Sequence, residues 1–551
     1  MKSAATRAWL FLIAGLFALS ACNTGQDETT RMIFRYNEGA GISSLDPAFS
    51  RSLENLWAVH QLFNSLVELD SNMLVQPSVA ESWEISEDGR TYAFRLRDDV
   101  YFHNHQLFPD GKGRKVNAHD FVYSFNRLRS PELASPGAWV LGWLAEQPNG
   151  GVEAPDDRTL VLHLKAPFPP FLGMLSMKYC SVVPHEVANH YGADFRAHPV
   201  GTGPFQLQAW VEDTKLVMKR NDRYFERDEK GRALPYLDGV AVSFTRDAGA
   251  EFLELLKGGF DMISGLHSSY KDELLDPFGV LNAAYRKHLY LQKQPFLKTD
   301  YLGFLVDENL PAVKESPLRH KLVRQALNLG IDRELMVQHL RNNIYRPATS
   351  GFIPYGMPGF DPTRVKGYDR DLDKARALLR EAGYNSGREL GTITLSTTSD
   401  YVDLCEFVQS QLEDLDVKIK VDVLPAGTHA TYTAEGKLSF FRKSWLADYG
   451  DAENFLSVFY SANHAPGGPN YTRFSNELFD EWYEQSMEIQ NLDERLALYQ
   501  RMDSLMMEEA PILPLYYDVV VRFVRKNVQG LSSNAMNLLD LRRVRVDEEE
   551  D

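Results

Sequence analysis

Cysteine is scarce in this chain: three in 551 residues, at positions 22, 180 and 405. Such a count excludes a disulfide framework. Positive charge is also in short supply, with 59 Lys plus Arg against 76 Asp plus Glu and a formal net charge of −17. A surface this acidic argues against nucleic acid, whose affinity comes mostly from phosphate neutralisation. After the first twenty residues no apolar run reaches the ~18 residues that a membrane-crossing helix needs. Catalytic signatures are missing as well: no Gly-x-Ser-x-Gly elbow, phosphate loop or His-Glu-x-x-His occurs. An extracytoplasmic hydrolase therefore stands only as a rival reading with no motif behind it. No internal repeat or low-complexity linker divides the chain. What is present, 44% hydrophobic and 25% charged residues, is the composition of a globular protein. Single cores stop growing near ~250–300 residues, so at least two lobes are expected. Two lobes without a linker imply that the chain crosses between them more than once.

The N-terminus carries Lys2 and Arg7, an apolar run from Ala8 to Ala18, and then Leu19-Ser20-Ala21-Cys22. This is the three-part layout of a secretory signal peptide over residues 1–21. Its ending resembles the bacterial lipobox, in which the cysteine takes lipid and becomes the mature N-terminus. An ordinary signal peptide with a cysteine nearby is the alternative. A lipid chain contributes ~0.8 kcal/mol per buried methylene, so Cys22 would tether the body to a membrane surface. The working part then lies outside the cytoplasm, in the periplasm or at the cell surface. Residues 22–31 form a polar tether. With Cys22 lipidated, Cys180 and Cys405 either pair, if their Cα atoms lie within ~7 Å, or stay as two buried thiols.

Ordered structure is expected from Met32-Ile33-Phe34-Arg35-Tyr36, which alternates apolar and polar like a half-buried strand. A β-hairpin fits residues 81–102: Trp83 and Ile85 alternate on one arm, Tyr92, Phe94 and Leu96 on the other, with Asp88-Gly89 at the turn. A second pair of strands flanks Asp156-Asp157-Arg158. Gly201-Thr202-Gly203-Pro204 is a compact turn before the strand-like Phe205-Gln206-Leu207. Residues 321–329 form a helix closing near Gly330, with Asp332 as N-cap of the next. Leu372, Ala375, Leu378, Leu379 and Ala382 share a helical face, and Gly383 follows where a left-handed cap is needed. Strands and helices mix throughout, as in α/β or α+β lobes.

Taken in order, several segments resemble the oligopeptide/dipeptide-binding proteins of bacterial ABC importers, solute-binding family 5. They are Ser44-Leu45-Asp46-Pro47, Gln61 to Val67, Ala80-Glu81-Ser82-Trp83, Asp88-Gly89 with Phe94 to Arg97, Asn117 to Phe121, Gly201 to Pro204, Arg324 to Asn328, Ala375 to Tyr384, and Ala510 to Tyr517. The resemblance implies a two-lobed, periplasmic-binding-protein-like (type II) α/β fold that closes on its ligand by a hinge. It implies lobe I from 32–62, 196–297 and 518–551, an inserted β-rich subdomain over 63–195, and lobe II over 298–517. It also implies capture of peptides for an ABC permease by a monomer, without covalent chemistry, cofactor or metal. A same-fold rival takes a non-peptide cargo: a nickel chelate, haem, an oligosaccharide or an opine. The chain departs from the family at residues 102–115, where His103-Asn104-His105 and a longer Gly-Lys-Gly-Arg loop replace a tight turn.

Residues 444–451, Ser-Trp-Leu-Ala-Asp-Tyr-Gly-Asp, are where the resemblance places the ligand. Asp448 matches the aspartate that pairs with a peptide's α-ammonium; capping the turn before Tyr449-Gly450 is its bland role. A carboxylate in a partly dry cleft gains much from a cationic partner and suffers without one. Trp445 and Leu446 match positions whose backbone groups bond the peptide main chain, a mode that ignores side-chain identity; Trp445 could equally be a core aromatic. Arg442 matches a basic residue that can meet a peptide carboxylate, or else lies on a solvated face. Ser52 to Asn55 match a segment bordering the cleft. His103, His105 and His119 are metal-capable imidazoles whose commoner meaning is a polar loop.

Overall fold

The computed structural model describes residues 31–267 and 270–548. The signal peptide, Cys22 and nearly all of the polar tether lie outside the described residues. Ten strands carry the main argument: β1 (Ile33–Asn37), β2 (Phe205–Val211), β3 (Lys215–Arg220), β4 (Gly239–Ser243), β5 (Met262–Ser264), β6 (Leu289–Phe304), β7 (Thr392–Thr397), β8 (Lys418–Val423), β9 (Phe440–Leu446) and β10 (Ile512–Arg525). They form one mixed sheet in the order β8-β7-β9-β6-β10-β5-β1-β4-β3-β2, and the short strand Arg346–Pro347 adds to β10. The parallel pairs are β7 with β8 and β9, and β1 with β4 and β5; the helix Val402–Glu413 crosses from β7 to β8 and packs on both.

β6 and β10 are the long strands, and they join the two halves of the sheet. Leu289 to Pro295 pairs with Arg525 to Val519, next to β5. The ladder then breaks, and it resumes from Thr299 opposite Tyr517, next to β9. The chain therefore crosses twice in extended strands, each with a break in register at the same level. Separate cores sit on either side. One gathers Phe34, Trp57, Phe63, Phe121 and Val240; another gathers Leu302, Leu327, Leu379, Val408 and Phe440. A third, around Phe352, Phe455 and Tyr499, also takes in Leu297 and Met73.

The first hairpin is Ala80–Ile85 with Thr91–Leu96, and Gly89 at its turn has φ +66°, where a side chain would be strained. Tyr92, Phe94 and Leu96 are buried, but the expected alternation fails on the other arm, where Ile85 is exposed. That arm is the edge strand of a four-stranded sheet, and of its two large apolar residues only Trp83 packs against the core. The second pair is Val152–Asp156 with Thr159–His163. The helices run Lys321–Leu329, Arg333–Arg341 and Leu372–Glu381; Asp332 and Asp371 cap the latter two through Leu335 N (2.9 Å) and Lys374 N (2.9 Å). Gly383 has φ +92°, as its cap position requires. Gly201 and Gly203 press their turn against the end of the helix Leu53–Leu62; a Cβ on Gly203 would sit 2.4 Å from Gln61 O. Cys180 and Cys405 are both buried free thiols. Among the described residues no helix is long and apolar enough to cross a membrane.

In the 102–115 loop, Arg114 bonds Asp120 with both terminal nitrogens (2.8 and 2.6 Å) and Glu186 through Nε (2.5 Å). This ties the loop to the capping box of the helix Ala118–Arg129. The three histidines are not brought together. His103 is buried between Gly201 N and Gly203 O, and burial pushes its pKa down to about 4. His105 faces Tyr191, and His119 lies 3.9 Å from Asp157. Among the described residues no group of three or more His, Cys, Asp or Glu side chains is placed to hold a metal.

Candidate ligand-binding cleft

A cavity of about 580 Å³ lies where the break in β6 meets the end of β9, within the usual size range of small-molecule sites. Phe296 and Leu297 line it from the break, and Leu446, Ala447, Asp448 and Tyr449 from the end of β9. The opposite wall comes from Arg51, Leu53, Trp139, Lys178 and Tyr179, and Met536 adds the C-terminal return. Leu297 ties three of these segments together: its N–H donates to Ala535 O (3.0 Å) and its carbonyl accepts from Ala447 N (2.8 Å). The rim is tight. Trp139 and Tyr449 rings lie 6.3 Å apart, and a Cβ on Gly450 would sit 2.9 Å from Leu69 Cδ1.

One amide organises the Asp448 wall. Asn454 Oδ1 accepts from Trp445 Nε1 (3.1 Å) and from Asp448 N (3.0 Å), while its Nδ2 donates to Asp448 Oδ2 (3.3 Å). Among the described residues the Asp448 carboxylate thus has one neutral partner and no cation in contact. Asp448 is exposed to the cavity, with protein packed around the rest of its carboxylate. Burial raises its pKa above the ordinary carboxylate range, against the Asn454 hydrogen bond and the positive charge of Arg51. Behind it, Tyr449 and Tyr483 hydroxyls both donate to buried Glu453, whose pKa burial pushes up to about 7.

Trp445 is half-buried and Leu446 exposed on β9. β9 pairs with β6 along its whole length, but with β7 only at Phe441, so among the described residues no strand covers its other edge near Trp445 and Leu446. Free backbone groups there can receive an extended chain. Arg442 is elsewhere: buried, ion-paired with Asp300, and stacked 3.2 Å over the Tyr401 ring. It is therefore on no solvated face, and it is not in the cavity wall. Asp300 captures it from the paired strand β6 and also meets Lys298 Nζ (3.0 Å), which reaches Asp518 (2.9 Å). Ser52 and Asn55 line an adjoining, more open groove of about 1100 Å³, which shares Arg51 with the cavity. Asn55 is buried there, accepting from Ser43 N (3.0 Å) and donating to Phe49 O (3.3 Å).

Arg51, Trp139, Lys178 and Tyr179 in the wall, and Asn454 behind it, have no signal in the sequence. Lys178 lies at the floor beside a buried cluster in which Arg542 bonds Glu68 (3.1 Å), Glu226 (2.6 Å) and Asp540 (2.8 Å). Burial pushes its ammonium down to about 8 against the pull of Glu68. Such a site, apolar over most of its wall and with few charges, can bind and orient a small charged solute.

Comparison with known proteins fits this geometry. Residues 75–467 match the family model of bacterial extracellular solute-binding proteins, family 5, middle region. The chain is similar to the dipeptide-binding protein of Escherichia coli K12, at 28% identity over 493 residues, covering 85% of this chain and 86% of that protein. Among solved structures it resembles HbpA2 from Haemophilus parasuis (TM-score 0.81, 26% identity, 94% of this chain and all of that one). It also resembles the periplasmic binding protein DppA from Helicobacter pylori in complex with the peptide STSA (TM-score 0.71, 26% identity, 95% of this chain and all of that one).

Proposed function

Because the chain belongs to the bacterial extracellular solute-binding proteins of family 5, we propose that it captures peptides in the cavity behind Asp448 and delivers them to the permease of an ABC importer. The observation that carries this reading is the state of Asp448: a carboxylate with raised pKa in the wall of a cleft, held by an amide and, among the described residues, met by no cation. A ligand ammonium supplies what it lacks, and a charge-assisted hydrogen bond is roughly twice as strong as a neutral one. The uncovered edge at Trp445 and Leu446 adds main-chain bonding that is indifferent to sequence. The dipeptide-binding relative and the peptide-bound structural neighbour point the same way.

In this reading lobe I comprises residues 32–62, 196–297 and 518–551 with the insert 63–195, lobe II comprises 298–517, and the breaks in β6 and β10 act as the hinge. The ligand shifts the open–closed population by binding the closed form better. Cys22 carries the lipid that keeps the monomer beside its permease. Thermal melts against di- to pentapeptides test the reading. A ligand at 100 times its Kd adds about 2.7 kcal/mol, so at least one length class raises the midpoint. Flat melts with every peptide, together with a response to haem, a chelate or a sugar, would overturn it.

A further inference from the structure

Asp70 shapes the loop that joins the short paired strands Val67–Leu69 and Val75–Pro77. Its Oδ1 accepts from Asn72 N (2.8 Å) and Leu74 N (3.0 Å), and its Oδ2 accepts from Gln76 Nε2 (3.2 Å). Met73 N donates to Asp70 O (3.0 Å). Met73 itself has φ +63°, a left-handed conformation that is strained for a residue with a side chain and persists only where its surroundings impose it. Its side chain is 4% exposed, although Leu74 beside it is open to solvent. It is buried in the core around Phe352, Phe455 and Tyr499, whereas Val67 and Val79 on either side belong to the core around Phe34, Trp57 and Phe121. The exchange is mutual, since Tyr449 is buried in that second core. Where the two cross, Gly450 has no side chain; a Cβ there would sit 3.6 Å from Met73 Cβ and Sδ and 2.9 Å from Leu69 Cδ1. The hairpin turn at Gly89 presses likewise against Gln490, with no room for a Cβ between them.

We propose that the loop 70–73 is the latch of the cleft: Met73, carried on the insert, plugs into lobe II at Gly450 beside the cavity rim and holds the closed form shut. The proposal rests on the two-lobed reading above and adds what stabilises closure. Opening about the breaks in β6 and β10 separates residues 63–195 from 298–517, so the plug withdraws and Met73 returns to water. Its apolar surface is buried again each time the lobes close, whatever the ligand's side chains. The preset turn means that closing orders no new backbone. The latch forms only after the lobes meet, so it slows release more than it speeds capture.

The test begins with the ligand-free, signal-less protein in two variants. Met73→Cys with Gly450→Cys places two Cβ atoms 3.6 Å apart, inside the ~3.5–4.5 Å that a disulfide requires. Mild oxidation should therefore consume two thiols and lock the lobes. Met73→Asn suits the left-handed turn better than methionine does, but cannot fill an apolar site. Small-angle scattering is expected to show Met73→Asn more expanded than the locked protein. With any peptide that raises the melting midpoint, stopped-flow should show Met73→Asn releasing it about 10- to 100-fold faster than wild type, the scale of burying one methionine side chain. Met73→Leu should restore slow release. Thiols that stay reduced, equal radii of gyration, or wild-type release from Met73→Asn would overturn the latch and leave the peptide reading standing, because the melts decide that reading. Flat melts would overturn the peptide reading alone, and the scattering comparison would still decide the latch.

Discussion

Replacing Asp448 with Asn keeps the shape of the cleft wall and removes its charge. Asn454 can still donate to the remaining amide oxygen, so the local scaffold of Trp445 Nε1 and Asp448 N survives. The loss on binding is one charge-assisted contact, about 1.5–3 kcal/mol or roughly 10- to 150-fold in Kd. It stays below the ~3–5 kcal/mol for breaking a fully buried pair, because cleft water can reach the group. Apo stability should move the other way. A folded pKa raised by burial means that the fold disfavours the carboxylate, so Asp448 contributes stability at acid pH that is lost as pH rises through its folded pKa. At neutral pH the Asn variant should match or exceed wild type, by under ~1 kcal/mol given solvent screening. Wild-type affinity should also fall above the α-amino pKa of ~7.7–8.0, where the ligand loses its charge. Calorimetry with free and N-acetylated peptides, beside urea denaturation of the apo proteins, checks both effects. A variant that binds normally but is clearly less stable would refute the reasoning and make Asp448 a turn cap.

Other consequences follow from the same structure. Arg542→Leu should cost about 3–5 kcal/mol in chemical denaturation, since it strands Glu68, Glu226 and Asp540 around one vacated charge. Gly203→Ala should cost about 1–3 kcal/mol, because its Cβ meets backbone at Gln61 and Leu62 that cannot yield. Asp503, which accepts from Phe352 N and Ile353 N, is pushed by burial up to about 7. Its stabilising contribution is therefore complete below its ordinary pKa and lost as pH rises through 7, so urea melts of Asp503→Asn should gain on wild type between pH ~4.5 and ~7.5. Cys22→Ser should move the protein into the soluble extracytoplasmic fraction, read by fractionation.

Local grammar makes much of the fold legible in the sequence. Asp88-Gly89 marks a hairpin turn, and Asp332 and Asp371 mark helix starts, because each feature is settled within a few residues. Burial along the Ala80–Ile85 arm is not legible there, since edge position depends on what fails to pair beside it. The site divides in the same way. Asp448 and Leu446 follow a contiguous segment and line the cavity wall, while Trp445 lies behind it on Asn454. Arg442 lies close to them in sequence, yet it is drawn into Asp300 by strand pairing with β6. Ser52 and Asn55 fall in the adjoining groove while their neighbour Arg51 reaches the cavity. That difference depends on how Pro47–Phe49 packs on Lys178–Cys180, more than a hundred residues away.

Native mass spectrometry of the signal-less protein, purified from peptide-rich growth and then released by denaturation, tests the central claim most directly. The account predicts bound masses that fragment as short peptides with free termini, and their disappearance from protein carrying Asp448→Asn. Haem, a metal chelate, a saccharide or another non-peptide cargo in the cleft would contradict it.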